Sequence, residues 1–286
     1  MKKKTMNILI IIAAIIFVLA IWFNIPFSPV KKQFQKDVKV RFDKITSSTN
    51  DVFTNEDFAT LPPVIQKYLS NCGYIGTEKK SVLSMEYRNV SFATGRNGAK
   101  LKIDYSQKDF ADAPDRLSFI DSKMFGVPFQ GYDYYLNGTG GMKGVLAKAF
   151  TLFDQTGDDM NQACLVTYLS ESLFLPQALL SGFITFSQID EHTVAAEIEY
   201  YGIKATGLFH FNENFEMTSF TTDNRGQTSA DGKMEYIPWS AECEDYVLYS
   251  DGIKRPTVFR AVWNYPDERF VYFDGKIDSV NGVRVK

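Results

Sequence analysis

The sequence predicts a mainly β, α+β fold: a large curved antiparallel sheet or half-open barrel of about eleven strands. Aromatic residues, which favour strands, make up 15% of the chain. From residue 81 onward, apolar residues alternate with polar ones in short segments that turn residues separate. No stretch alternates helix with strand, so the sheet should be antiparallel. Two central helical segments and an N-terminal transmembrane helix complete the expected architecture.

An unbroken apolar run over residues 8–23 predicts the transmembrane helix. Flanking residues extend this run to roughly the 20 that are needed to span a bilayer. A cleaved signal peptide is the alternative, but no small-x-small cleavage site follows the run. Lysines at positions 2–4 favour a cytoplasmic N-terminus. We therefore expect residues 1–29 to be a single-pass anchor, with the main domain outside the cytoplasm.

Residues 30–54 read as a basic amphipathic juxtamembrane helix followed by a polar linker. Val30, Phe34, Val38 and Phe42 recur at intervals of four among lysines and an arginine. Such a helix can lie on an anionic membrane surface with its apolar face buried in the lipid. A solvated connecting helix fits the same pattern, and the sequence leaves both interpretations open.

The remaining residues, 55–286, are expected to form one antiparallel β domain with a helical insert at 144–180. Apolar residues at helical spacing predict a first helical segment over 144–153. The second segment, over 161–180, has the best helical pattern in the domain. Pro176 should break this segment, because proline lacks the backbone N–H and clashes with the preceding turn.

Composition excludes several classes of function. A net charge of −3 and a pI near 5.6 provide no basic field, so nucleic acid is not an expected partner. Cys72, Cys164 and Cys243 are far apart and lack CxxC spacing, which argues against a zinc site or a disulfide framework. Three small buried side chains or one disulfide pair both remain open. No metal or cofactor is expected.

Glu171 is the one candidate for catalysis. It lies among aromatic and apolar residues on the second helical segment, where burial would raise its pKa and let it act as an acid or base. The alternative is a structural carboxylate that an arginine or backbone donors satisfy, with Arg225, Arg255 and Arg260 as candidate partners. The two histidines lie neither at HxxxH spacing nor near a GxSxG elbow.

Several motifs occur in order along the chain. They are Leu61-Pro62-x-Val64-x-x-x-Tyr68-Leu69, Tyr135-x-x-Gly138-x-Gly140-x-Met142, Tyr168-Leu169-x-Glu171-x-x-x-x-Pro176-x-Ala178-Leu179-Leu180, Asp223-x-Arg225, Pro238-Trp239, Gly252-x-x-x-Pro256 and Trp263. Over about residues 55–265 the chain resembles an uncharacterised bacterial domain-of-unknown-function family, which is often found behind an N-terminal membrane segment. Phe174 and Leu175 stand where relatives often carry a tryptophan. The resemblance implies location and fold but no reaction.

The order of strands, paired helices and strands is also similar to the half-open β-barrels of bacterial lipoprotein and lipid carriers. This second resemblance is architectural, and fold does not imply function.

We favour a membrane-anchored binding module for a lipid or another apolar ligand, held between the aromatic face of the sheet and the central helices. The excess of Phe and Tyr and the lack of a visible nucleophile–base pair favour binding over catalysis. One alternative is a membrane-tethered hydrolase that uses Glu171 with an arginine partner, and another is a structural domain with no ligand. The expected ligand-contacting residues are Tyr168, Leu169, Glu171, Leu173, Pro176, Arg225, Trp239 and Trp263.

Overall fold

The computed structural model describes residues 2–45, 51–228 and 234–284. Over these residues the helices are α1 (Lys2–Asn24), α2 (Pro29–Phe42), α3 (Pro63–Asn71) and α4 (Asp158–Glu171), with 3-10 turns at Glu56–Phe58, Ser172–Phe174 and Pro176–Leu180. The strands are β1 (Val82–Ala93), β2 (Lys100–Phe110), β3 (Arg116–Met124), β4 (Val127–Leu136), β5 (Thr139–Leu146), β6 (Phe150–Thr156), β7 (Ile184–Gln188), β8 (Thr193–Tyr200), β9 (Ile203–Phe211), β10 (Met217–Thr222), β11 (Gly226–Thr228), β12 (Met234–Tyr236), β13 (Trp239–Leu248), β14 (Lys254–Asn264), β15 (Arg269–Val280) and β16 (Val283–Arg284).

Fourteen of the described strands form one antiparallel sheet, which confirms the predicted fold class. The order across the sheet is β6-β5-β4-β3-β2-β1-β15-β14-β13-β10-β9-β8-β7, while β16 pairs with β15. Most neighbours also follow each other in sequence, because hairpin turns reverse the chain. The exceptions are β1 with β15 and β10 with β13. Strands β11 and β12 form a separate hairpin.

The sheet curls until turns from its two halves meet. Gly138 in the β4–β5 turn lies against Tyr201 in the β8–β9 turn, and a Cβ added at Gly138 would come within 2.6 Å of that ring. The φ of +79° at this turn also favours glycine. Helix α4 contacts β5 near one end of the sheet and β9 near the other. The sheet is thus a half-open barrel, since its end strands β6 and β7 do not pair with each other.

Residues 144–153 form most of a β-hairpin, so the helix predicted there is wrong. Strand β5 continues to Leu146, and β6 starts at Phe150, which pairs with Leu146. Ala147 and Lys148 make the turn with φ values of 52° and 64°. Apolar residues three or four positions apart fit a helix, but the same spacing also occurs across the turn of a hairpin. Here the pattern belongs to a hairpin.

The second predicted segment is helical, and the interruption that was predicted at Pro176 is present. Helix α4 starts at Asp158, three residues before the expected position, and its last residue is Glu171. Two 3-10 turns follow, the second of which begins at Pro176. Residues on several sides of α4 are buried, among them Cys164 and Tyr168. Helix α4 therefore crosses the concave face, with the 3-10 turns beside it.

Helix α2 packs on the outer face of the sheet. Val30 and Phe34 are buried there in a second apolar cluster with Phe110, Leu117, Phe119, Tyr132 and Val145. Arg41 is 3% exposed and forms salt bridges of 2.6 Å with Asp112 and 2.7 Å with Asp115. Val30 and Phe34 therefore pack on the sheet rather than in a bilayer, and α2 is not a free solvated helix either. Residues 46–50 of the expected linker lie outside the described residues.

Helix α1 has 23 residues and exposes its apolar side chains over its length. By length and composition it could cross a membrane. A membrane anchor and a signal sequence both have this length and apolar composition, so the helix alone does not distinguish between the two.

The C-terminal end of α1 is bound by the β5–β6 turn. Lys148 Nζ donates hydrogen bonds to the carbonyl oxygens of Trp22, Phe23 and Ile25 at 3.1, 3.0 and 2.7 Å. Trp22 Nε1 donates to the carbonyl oxygen of Ala147 at 2.7 Å. An ammonium group is favoured at this position, because the C-terminal carbonyls form the negative end of the helix dipole. These contacts join α1 to one edge of the sheet.

All three cysteines are free and buried. Burial raises the pKa of the Cys72 and Cys164 thiols to about 12 and raises the pKa of the Cys243 thiol well above its usual range. The thiols are therefore neutral at physiological pH and poor nucleophiles. Of the two interpretations that the sequence left open, the structure agrees with three small buried side chains.

Candidate ligand-binding site

A cavity of about 510 Å³ lies between the concave face of the sheet and α4. Its lining comes mainly from β1 to β6 on one side, from β13 to β15 on the other, and from one face of α4. The exposed lining residues include Thr94 and residues 156–159, so the cavity reaches solvent there. This volume is within the range of about 300–1,000 Å³ that is usual for small-molecule sites.

Aromatic rings form much of the wall and support one another. The Tyr87 ring centre lies 6.1 Å from Phe259 and 5.6 Å from Phe273, both in edge-on contact. Phe174, which follows α4, lies 5.2 Å from Phe259. Edge-on pairs at these distances are favourable beyond their buried area. The wall is therefore an apolar surface with little freedom to collapse.

Two alanines leave room between these rings. Ala241 on β13 pairs directly with Ala261 on β14, and both line the cavity. The next inward-facing pair along the same strands is Trp239 with Trp263. Because side chains of a strand alternate between its two faces, the alanines and tryptophans project to the same side. The small pair leaves space that larger side chains at these positions would fill.

Arg116 organises a polar cluster in the wall of the cavity. Its Nε donates to Glu171 Oε2 at 2.8 Å and its Nη1 donates to Asp133 Oδ2 at 2.8 Å. Nη2 donates to the Tyr105 hydroxyl at 2.7 Å and to Gln107 Oε1 at 3.2 Å. Gln107 in turn donates from Nε2 to Glu171 Oε2 at 2.7 Å. The cluster thus links β2, β3 and β4 to the last residue of α4.

The cluster contains more carboxylates than cations. Asp109 Oδ1 lies 4.0 Å from Arg116 Nε, beside the carboxylates of Glu171 and Asp133. Burial raises the pKa of Asp109 well above its usual range, and the charge of Glu171 adds to this effect while Arg116 opposes it. Even without a charge on Asp109, the carboxylates of Glu171 and Asp133 face a single guanidinium. The cluster therefore has a negative excess, and it presents oxygen acceptors to the cavity.

Arg225 forms a second polar feature of the lining. Its guanidinium carbon lies 4.7 Å from the ring centre of Trp239 and 5.8 Å from that of Trp263. It also donates hydrogen bonds to the carbonyl oxygen of Ala163 and to the Thr167 hydroxyl on α4. A guanidinium over indole faces is a favourable cation–π arrangement. Arg225 therefore fastens α4 to the tryptophan pair.

The basic partner of Glu171 is Arg116, so the partners expected from the sequence are wrong. Arg255 pairs with Asp251 instead, and Arg260 pairs with glutamate and aspartate on the neighbouring strands. Arg116 reaches Glu171 because the first residue of β3 faces the concave side beneath the end of α4. Nothing in the local sequence around Arg116 indicates this long-range pairing.

Four of the eight expected ligand-contacting residues line the cavity, namely Glu171, Arg225, Trp239 and Trp263. The other four, Tyr168, Leu169, Leu173 and Pro176, are buried away from it. Tyr168, for example, donates from its hydroxyl to the carbonyl oxygen of Phe110 at 2.7 Å. Helix α4 is buried on more than one side, and its most apolar face packs into the core. The cavity receives the face with Cys164 and Thr167.

Sequence reasoning missed the residues of β2 and β4 that line the site. Tyr105, Gln107, Phe129 and Asp133 all line the cavity. Tyr105 and Gln107 are two apart on β2, and strand alternation alone places them on one face. The signal in the sequence that could have indicated the site was Gln107, a polar residue among apolar ones on the inward face of its strand.

The sequence model of the DUF6544 family, which is described as a family of unknown function, matches residues 51–275 of the chain. Among solved structures, the chain is similar to a domain described as that of an outer membrane lipoprotein-sorting protein from Vibrio parahaemolyticus, with 7% identity and a TM-score of 0.39 over 70% of this chain and 85% of that one. It is also similar to a DUF1329 family protein from Desulfovibrio piger, with 13% identity and a TM-score of 0.36 over 91% of this chain and 94% of that one. No curated protein matches. Similarities this distant carry no inference about function.

Proposed function

The chain belongs to the DUF6544 family, and we propose that it is a binding module that holds an apolar molecule, such as a lipid or acyl chain, between its sheet and α4. The observation that carries the proposal is the cavity of about 510 Å³ with its aromatic wall. Apolar surface of this kind is usually retained in a folded domain as a binding site. The alanine pair Ala241 and Ala261 supports the proposal, because larger side chains at these positions would close the space.

The polar cluster favours a ligand whose polar end donates hydrogen bonds. In the described residues, the Cys164 thiol is the hydrogen-bond partner of Asp133 Oδ1, at 4.0 Å. Glu171 Oε1 accepts one hydrogen bond of 3.3 Å from Arg116. Both oxygens have acceptor capacity left. A carboxylate or phosphate placed there would meet like charge, whereas an amine or a hydroxyl would find acceptors. We therefore propose an amphiphile with a cationic or hydroxyl end group.

Displacement of a fluorescent apolar probe by dodecylamine, dodecanol and dodecanoate tests this proposal. The protein would begin at Phe27, which removes α1 but keeps α2 on the sheet. The amine and the alcohol should displace the probe, and the carboxylate should need at least a tenfold higher concentration. Equal displacement by all three would contradict the preference for a donor group. Displacement by none of them would contradict the binding proposal.

The contacts of Glu171 support a structural role rather than the hydrolase alternative. Its Oε2 accepts hydrogen bonds from both Arg116 and Gln107, and its Oε1 accepts from Arg116. A general acid or base must exchange a proton with the substrate, and three donors of this kind hold the carboxylate as an acceptor. Glu171 therefore fixes the end of α4 to the sheet.

We also propose that α1 is an uncleaved anchor, with its N-terminus in the cytoplasm and the domain on the other side of the membrane. The lysines at positions 2–4 support this orientation. The contacts of Lys148 with the end of α1 support retention of the helix, since cleavage behind it would remove their partner. Protease added to intact spheroplasts should digest the domain and spare a cytoplasmic control protein. Full protection of the domain would contradict this topology.

A further inference from the structure

The edge of the sheet that binds the end of α1 also exposes large apolar side chains. Phe125, at the tip of the β3–β4 turn, is 94% exposed, and Phe150, at the start of β6, is 67% exposed. Phe27, three residues beyond the end of α1, is 49% exposed. We name this surface the anchor edge and define it by Phe27, Phe125 and Phe150 together with Lys148.

Backbone pairing holds the parts of the anchor edge together. The N–H of Ala147 in the β5–β6 turn donates to the carbonyl oxygen of Pro128 at 2.7 Å, just after the β3–β4 turn. Phe129 pairs with Leu146 in the same register. Adjacent strands lie about 4.8 Å apart, so the two turns are neighbours at one end of their strands. Lys148 binds α1 from the second of these turns.

Folding does not explain a phenylalanine at position 125. Phe125 and Gly126 have φ values of 51° and 81°, the left-handed conformation of a two-residue hairpin turn. Such turns favour Asn, Asp and Gly, and a bulky residue at positive φ is uncommon. The Phe125 side chain gains little packing in return, because it is almost wholly exposed. Its place is better explained by a surface that it contacts.

The contact of α1 with Lys148 indicates which surface that is. If α1 crosses a bilayer, its last turn marks the boundary between lipid and water, and the anchor edge lies at that level. Aromatic side chains are enriched at this boundary. Exposed lysines at positions 31, 32 and 123 lie on the adjoining α2 and β3, where anionic headgroups would attract them.

We propose that the anchor edge rests in the headgroup layer of the bilayer that α1 crosses, with Phe125 and Phe150 inserted at the interface. The domain then has one fixed orientation relative to the membrane and does not rotate freely about its anchor. This proposal relies on the anchor role of α1 and is independent of what the cavity binds.

A fluorescent label at position 125 tests the proposal in the full chain. Phe125→Cys carries an environment-sensitive NBD label, and the chain is reconstituted into nanodiscs of phosphatidylcholine and phosphatidylglycerol. The three native cysteines are buried and should not react under native conditions, which labelling of the unsubstituted protein checks. Leu248→Cys is the matched control: it is 71% exposed, but it lies five strands away and at the opposite end of its strand.

The label at position 125 should emit at shorter wavelength than the label at position 248, and nitroxide-bearing lipid should quench only the former. Water-like emission without quenching at position 125, in protein that co-elutes with nanodiscs, would overturn the proposal while leaving the anchor intact. Protein that fails to enter nanodiscs would contradict the anchor role of α1 and this proposal with it. Neither result would affect the cavity.

Discussion

Arg116→Met should lower the free energy of unfolding by about 3–5 kcal/mol, the usual effect of removing one partner of a buried ion pair. The change leaves Glu171, Asp133 and Asp109 close together without the guanidinium that they share. For a domain of this size, such a loss corresponds to a drop in melting temperature of roughly 10 °C. Thermal unfolding followed by circular dichroism measures it directly.

Arg96→Met is the matched control for this prediction. Arg96 also pairs with two carboxylates, those of Asp267 and Glu268, but its side chain is 35% exposed. Exposed pairs contribute about 0–1 kcal/mol. Glu171→Gln should fall between the two variants, since Arg116 keeps its bond to Asp133. If Arg116→Met and Arg96→Met melt at the same temperature, the cluster does not hold α4 to the sheet.

Ala261→Trp should abolish binding of the apolar probe while leaving the fold intact. The indole would project from β14 into the space that Ala241 and Ala261 leave between the aromatic rings. Forcing a large side chain into a packed core costs about 1–3 kcal/mol, but a cavity of about 510 Å³ can receive it with less strain. Probe affinity should fall at least tenfold, measured by fluorescence titration.

Leu248→Trp is the control, because it adds the same side chain at an exposed position on β13. It should bind the probe as the unsubstituted protein does. A probe affinity that Ala261→Trp leaves unchanged would place the binding site outside the cavity. The same outcome would show that the space beside Ala241 and Ala261 does not hold the probe.

The elements that local periodicity controls were predictable. Strand alternation gave the antiparallel sheet, and the chemistry of proline gave the break at Pro176. The exposed apolar helix α1 followed from one uninterrupted run. The hairpin at 144–153 was lost because apolar spacing of three or four residues fits either a helix or two paired strands. The positive φ values at Ala147 and Lys148 leave no clear mark in the sequence.

The contacts that join distant segments were not predictable from one sequence. The apolar stripe of α2 was visible, but the sequence indicated a membrane surface or a solvated connecting helix and not the sheet on which Val30 and Phe34 pack. Glu171 was correctly expected to meet an arginine, yet Arg116 is 55 residues away on a strand. Trp239 and Trp263 were expected to contact a ligand, and both line the cavity. Leu173 was expected to line the cavity and instead lies in the core.

Native mass spectrometry tests the central claim, which is that the cavity holds an apolar ligand. The protein that begins at Phe27 would be purified in mild conditions beside its Ala261→Trp variant, and the mass of each intact species would be compared with the mass of the chain. The unsubstituted protein should carry an additional lipid-sized mass that collisional activation releases, and Ala261→Trp should carry none. A chain mass alone for both proteins, with no gain after incubation with dodecylamine or dodecanol, would contradict the claim.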